Sequence, residues 1–280
     1  MRKELKGHNG INLSLAVLPN GDLVSGGEDG TIKVWDTNDG KVKKSLSCSG
    51  RLNDIIAVHN DCIISASDDM LMNIKIWNIN EGTVKRKVTG HIKSVLALKM
   101  LKNGVFASGS CDTTIKIWNT SDGGLKKTLK GHTNEVWTLA LLKNGELASG
   151  SSDNSIIIWD VDREIAKRTL SGHTSYVCVL TLLENADLVS GSCDKTIKIW
   201  DAEKGIVKRE LTGNNKDVLA LKVLNGDLVS GSGDGTIKIW DVETGKVKKD
   251  LKVNSDINSI EVLENGGLAS ASDESIIIWD

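Results

Sequence analysis

The sequence predicts an all-β protein made of seven similar units, each a small sheet of four antiparallel strands. Three observations predict it. The pentapeptide Thr-Ile-Lys-Ile-Trp stands at Thr114–Trp118 and returns at Thr196–Trp200 and Thr236–Trp240, and close variants end at Trp35, Trp77, Trp159 and Trp279. The seven tryptophans are separated by 42, 41, 41, 41, 40 and 39 residues, so seven units account for the 280-residue chain. Short β-branched and apolar runs alternate with Asn-, Asp- and Gly-containing turns, and proline occurs once, at Pro19. One unit of this size cannot bury its own apolar face. The chain therefore reads as a single domain over residues 1–280 rather than the two that its length alone suggests.

The fourth unit shows why each element forms. Val136-Trp-Thr-Leu-Ala-Leu-Leu is apolar for a strand's length, and Lys143-Asn144-Gly145 follows. Asn-Gly is a strong hairpin signal. Glu146-Leu-Ala-Ser-Gly-Ser supplies a second strand of small residues, which lets a neighbour approach closely. Ser152-Asp153-Asn154 turns the chain into Ser155-Ile-Ile-Ile-Trp159, whose β-branched residues favour a strand. After Asp160-Val-Asp-Arg-Glu, a fourth strand over Ile165–Leu170 leads to Gly172-His173. That fourth strand is basic in unit after unit, as in Lys41-Val-Lys-Lys and Ala166-Lys-Arg. Lysine on an exposed edge blocks sheet-to-sheet association. This reading is preferred over a nucleic-acid patch, because charges that recur in every unit form a thin belt rather than one face.

The pairs Gly-His and Trp-Asp at this spacing resemble the WD-repeat family, and the likeness covers the whole chain. The resemblance implies a seven-bladed β-propeller with four antiparallel strands per blade around a central channel. It also implies a His–Ser–Asp–Trp tetrad within a blade. Four sets match: His8, Ser25, Asp29 and Trp35; His91, Ser108, Asp112 and Trp118; His132, Ser149, Asp153 and Trp159; His173, Ser190, Asp194 and Trp200. Donors and acceptors balance along Trp–Ser–His–Asp, so a buried tetrad can satisfy every polar group. A set that recurs in four blades is structural, whereas a hydrolase needs one exposed nucleophile in a pocket.

The first residues, Arg2-Lys-Glu-Leu-Lys-Gly-His8, resemble a fourth strand, and the last residues end a third. The N-terminal strand is therefore expected to complete the seventh blade. The units depart from their own pattern in three places. The second has no Gly-His, the sixth has Gly213-Asn214, and the seventh reads Lys252-Val-Asn-Ser. Incomplete tetrads are expected there. The second unit also carries two extra residues between strands two and three, which place Met70, Leu71 and Met72 at a loop tip. Insertions in repeat proteins often mark a binding face, and methionine adapts to irregular partners. The alternative is a tolerated insertion folded back on its blade.

Family members often bind partners on the face that bears the Gly-His loops. The resemblance assigns to that mouth an inner ring of Leu13, Asn53, Leu96, Trp137, Cys178, Leu219 and Asn258. It assigns an outer ring of Ile11, Arg51, Ser94, Glu135, Tyr176, Asp217 and Asp256. Trp137 lies outside the repeating tryptophans and, with Tyr176 in the next blade, forms an aromatic pair of the kind enriched in binding hot spots. The alternative for Trp137 is packing against a blade neighbour. Arg51 faces Glu135, Asp217 and Asp256, with Glu28 nearby. Ubiquitin-ligase receptors of this family that read phosphopeptides use several arginines there, because phosphate favours bidentate guanidinium donors. This mouth instead suits a protein or peptide with an apolar anchor and Lys or Arg flanks.

Composition narrows the classes. The chain carries 35 basic and 37 acidic residues, which gives no support to a nucleic-acid partner. No apolar run reaches membrane-span length, and no apolar signal core opens the chain. The five cysteines, Cys48, Cys62, Cys111, Cys178 and Cys193, form no C-x-x-C pair and read as free thiols in a reducing compartment. Outside the tetrads only His59 remains, without partners at metal spacing. The expectation is a monomeric, non-catalytic interaction scaffold of the cytoplasm or nucleus, without a cofactor. The alternatives are the substrate-recognition propeller of a larger ubiquitin-ligase or signalling protein, and an engineered or excised propeller without an evolved ligand.

Overall fold

The computed structural model describes residues 2–69 and 74–279, and they form seven four-stranded antiparallel sheets. Each sheet is a blade, and in blades one to six the strands run in chain order from the channel to the rim. Blade one comprises Asn12–Val17, Leu23–Gly27, Thr31–Trp35 and Val42–Ser47. Blade four comprises Val136–Leu141, Leu147–Ser151, Ser155–Asp160 and Ile165–Ser171, within a residue or so of the expected bounds. Blade seven takes Ile257–Val262, Leu268–Ser272 and Ile276–Trp279 from the end of the chain, and Arg2–Leu5 from its start. The register is Arg2 opposite Trp279 through Leu5 opposite Ile276. The first strands of blades one and seven lie side by side, so the ring closes.

The core lies between blades. Val24, Ile32 and Val34 of blade one pack with Leu52, Ile55, Ile63 and Trp77 of blade two, and equivalent clusters fill the other gaps. The small residues of the second strands set the spacing. A Cβ on Gly150 would stand 2.6 Å from Val177 Cγ1 of the next blade, well inside van der Waals contact. The Asn-Gly turn forms as expected, with Gly145 at φ 91° and its N–H donating to Leu142 O at 2.9 Å.

The fourth strands are the exposed rim. Their cations hold neighbouring turns. Lys43, Lys208 and Lys248 pair with Asp22, Asp187 and Asp227 at 2.6, 2.6 and 2.7 Å. Lys127 donates to Val161 O at 2.9 Å, and Arg86 to Ser121 O at 2.7 Å, each across to the next blade. No helix among the described residues is long and apolar enough to cross a membrane.

Candidate functional site at the channel mouth

All four expected tetrads form. In blade four, Trp159 Nε1–H donates to Ser149 Oγ at 2.8 Å, Ser149 lies 2.7 Å from His132 Nε2, and His132 Nδ1 lies 2.8 Å from Asp153. Blade one repeats this relay with Trp35, Ser25, His8 and Asp29 at 2.7, 2.7 and 3.0 Å. Blade three repeats it with Trp118, Ser108, His91 and Asp112 at 2.7, 2.7 and 2.8 Å. Blade five repeats it with Trp200, Ser190, His173 and Asp194 at 2.8, 2.6 and 2.7 Å.

Electrostatics fix the proton positions. Burial by itself would raise the Asp29 and Asp194 carboxyls. Hydrogen bonds from the following N–H groups, from Thr31 or Thr196 and from the histidine outweigh burial and hold both at about 2. Asp112 and Asp153 are likewise held well below the carboxylate range. Burial lowers His8 and His173 below their ordinary value, although the aspartates oppose it. The neutral imidazoles of His8 and His173 therefore donate from Nδ1 to an ionised carboxylate and accept at Nε2 from serine, which leaves no free nucleophile in those sets.

The three irregular blades fill the missing histidine differently. In blade two, buried Cys48 takes its place, and Lys75 turns inward, with Nζ 3.3 Å from Cys48 Sγ and 2.9 Å from Asp69. The equivalent lysines elsewhere run outward, as when Lys33 reaches Ser45 at 3.2 Å and Lys238 reaches Asp250 at 2.7 Å. Blade two thus lacks a full tetrad, as expected, and holds a buried ion pair instead. In blade six Asn214 is buried, and neither its Oδ1 nor its Nδ2 finds a partner. Blade seven has no histidine, and the buried residue of its shortened loop is the apolar Val253, clustered with Ile257 and Ile277.

The mouth is built by a repeated backbone irregularity. In every blade the pairing of strands one and two slips by one residue, as between Val136 opposite Ser151 and Thr138 opposite Gly150. The extra residue is left outside the ladder, and a bulge re-aims its side chain. Those seven extra residues are Leu13, Asn53, Leu96, Trp137, Cys178, Leu219 and Asn258. All seven line one cavity of about 700 Å³, joined by Arg51, Asp68, Ser94, Tyr176 and Asp217. Glu135 and Asp256 are half-buried and set back from its lining, as is Ile11. Met70, Leu71 and Met72 lie outside the described residues.

Several mouth residues are fixed by the turn that follows strand two. Trp137 Nε1–H donates to Ser152 Oγ at 2.6 Å, and Asn258 Nδ2–H donates to Asp273 at 2.9 Å. Trp137 and Tyr176 still expose 41% and 46% of their surface, so both aromatic faces are open to a partner. The Arg51 guanidinium stands 4.0 Å from the Glu28 carboxylate, so the one arginine of the lining is already faced by an acid. Asp68 and Asp217 leave the mouth acidic.

Deeper in the channel Asp54 ties three blades together. Its carboxylate accepts from Ser14 Oγ–H of blade one at 2.9 Å and from the Leu98 N–H of blade three at 2.7 Å. Surrounding protein raises this carboxyl to about 6 against those hydrogen bonds. Below it, Lys222 pairs with Glu261 at 2.7 Å.

Comparison with known proteins decides the family. A family model described as WD domain, G-beta repeat matches residues 1–36, 82–119, 123–160, 165–201 and 205–241. The chain belongs to the WD-repeat family. WD-repeat propellers are typically protein-interaction scaffolds without catalytic activity. The unmatched stretches contain the first three strands of blades two and seven, two of the three blades that lack a complete tetrad. The chain is also similar to a rice (Oryza sativa subsp. japonica) small ribosomal subunit protein, RACK1y, being 39% identical over 56 residues. That match spans 20% of this chain and 17% of the rice protein. Sequence reasoning missed Asp54, although it is the one charged residue at a position held elsewhere by Ser14, Ala97, Thr138, Val179, Ala220 and Ser259, and it missed the inward turn of Lys75, which matches Lys33 and Lys238 in the repeat.

Proposed function

We propose that this WD-repeat propeller is a non-catalytic interaction module whose channel mouth receives a protein segment with an apolar anchor flanked by Lys or Arg. The observation that carries this reading is the mouth itself: a ring of bulge residues, including exposed Trp137 and the leucines 13, 96 and 219, beside Asp68 and Asp217. Its volume of about 700 Å³ suits a few side chains rather than a folded surface. Aromatic side chains in a concave site give large contact area at small entropy cost. The mouth's acids favour a cationic flank and disfavour a phosphate.

The test uses fluorescein-labelled peptides with a central Leu or Phe. They are flanked by Lys and Arg in one set and by Glu in another, with phosphoserine forms of each. Binding is measured by anisotropy to the native chain and to a Trp137→Ala, Tyr176→Ala variant of matched unfolding midpoint. The basic-flanked peptides are expected to bind best and to lose at least about tenfold in affinity with the variant, since truncating hot-spot aromatics costs about 2 kcal/mol or more. Tighter binding of phosphorylated peptides, or equal affinity for the variant, would overturn the reading.

A further inference from the structure

We propose that Cys178 and Cys193 form a redox-active thiol pair at the channel mouth, a modification site at which a peroxide closes a reversible disulfide within blade five. The two sulfurs lie 2.7 Å apart, the sulfur counterpart of the Trp137–Ser152 and Asn258–Asp273 contacts. The sheet fixes their approach. Val177 pairs with Ser192 and Val179 with Gly191, so Cys178 is the bulge residue and Cys193 the first residue of the turn facing it. Bonded sulfurs stand about 2.05 Å apart, so closure needs a small side-chain movement and no change of register. Both cysteines line the mouth and are half-buried, within reach of a small oxidant.

The other three thiols are built-in comparisons. Cys48 and Cys62 are buried. Cys111 occupies the same turn position in blade three and also lines the mouth, but the bulge residue of its blade is Leu96. Exposure is therefore similar for Cys111 and Cys193, and only the second has a sulfur facing it.

The chemistry balances with a peroxide as oxidant. The Cys193 thiol releases its proton, its thiolate attacks one peroxide oxygen, the O–O bond breaks, and the departing hydroxide takes up that proton, which gives a sulfenic acid and one water. The Cys178 sulfur then attacks the sulfenic sulfur and loses its proton, the S–O bond breaks, and a second water leaves. Two thiols are oxidised by two electrons and the peroxide is reduced to two waters. The contact with Cys193, together with burial, raises the Cys178 thiol and so disfavours it as the first attacking sulfur.

The reduced full chain is treated with hydrogen peroxide, quenched with iodoacetamide, and digested without reductant for mass spectrometry. The expected product is a Cys178–Cys193 cross-link lacking two hydrogens, formed at least about tenfold faster than oxidation of Cys111 and reversed by dithiothreitol. In a Cys193→Ser variant that keeps the native unfolding midpoint, Cys178 is expected to give no cross-link. Separate sulfinic or sulfonic acids at the two positions, or a cross-link no faster than Cys111 oxidation, would overturn the proposal.

Discussion

A histidine that satisfies both ring nitrogens is worth more to a blade than an amide that satisfies neither, and blade six offers a direct comparison. Ser230, Asp234 and Trp240 are in place, and Trp240 already donates to Ser230 at 2.8 Å. Asn214 sits buried beside them without a partner. Asn214→His should complete the relay and stabilise the protein by about 1–3 kcal/mol, the cost of leaving a buried polar group unmade. Urea unfolding measures this, and an unchanged or lower midpoint would show that the ring does not reach both Ser230 and Asp234. Lys75 makes the opposite case. Its side chain is 4% exposed and faces Asp69 at 2.9 Å. Lys75→Met should therefore cost about 3–5 kcal/mol, because a carboxylate is left buried without its cation. The equivalent Lys33→Met should lie within about 0.5 kcal/mol of the native protein, as for an ordinary surface change. Equal costs for the two would refute the inward assignment. In the sequence Lys75 was indistinguishable from Lys33, since both stand two residues before a tryptophan. Lys75 turns inward toward Cys48 and Asp69, whereas Lys238 of blade six, which also lacks the histidine, still runs outward to Asp250.

Blades differ in how firmly they are held, although their strands look alike. Blade seven is completed by the short strand Arg2–Leu5, and it has no histidine for a polar relay. Blade six carries the unpartnered amide. Blades one, three, four and five each hold a full relay. Native-state hydrogen exchange should show the third strands of blades six and seven exchanging first. Protection of those strands equal to that of Ser155–Asp160 in blade four would contradict this. The strand pattern itself was readable, because β-branched runs and Asn-Gly turns are local signals. The tetrads were readable through the family resemblance, which assigned their residues in four blades. The mouth was readable only in part. Its inner ring came through the family resemblance, whereas the bulge that projects it is a property of strand pairing that no residue type announces. Glu135 and Asp256, assigned to the outer ring by the same resemblance, stand back from the lining.

Closure of the ring makes the stability of the whole molecule respond to acid through the sum of its tetrads. An unfolded histidine gains a proton near 6.5, whereas burial depresses His8 and His173 in the fold. Stability from these groups is present above that pH and is lost as pH falls through it. An unfolded aspartate gains its proton near 3.8, whereas Asp29 and Asp194 resist protonation down to about 2. Their contribution is present above about pH 4 and is lost as pH falls toward 2. Asp54 acts with the opposite sign. Its folded carboxyl is raised to about 6, so the folded state binds the extra proton between about pH 6 and 4 and is stabilised as pH falls through that window. The depressed histidines and the raised Asp54 therefore oppose one another between pH 6.5 and 4, and the aspartates act alone below. Unfolding midpoints measured across pH should be nearly level from 7 to 5 and then drop steeply below 4. Replacing Asp54 with alanine should lower the midpoint at all pH values, through loss of the inter-blade hydrogen bonds. It should also steepen the fall between 6.5 and 4, because the compensating proton is gone. A midpoint that stays level down to pH 2 would mean that the tetrad carboxylates are no more acidic in the fold than in the unfolded chain. A variant that parallels the native curve would remove Asp54 from the balance.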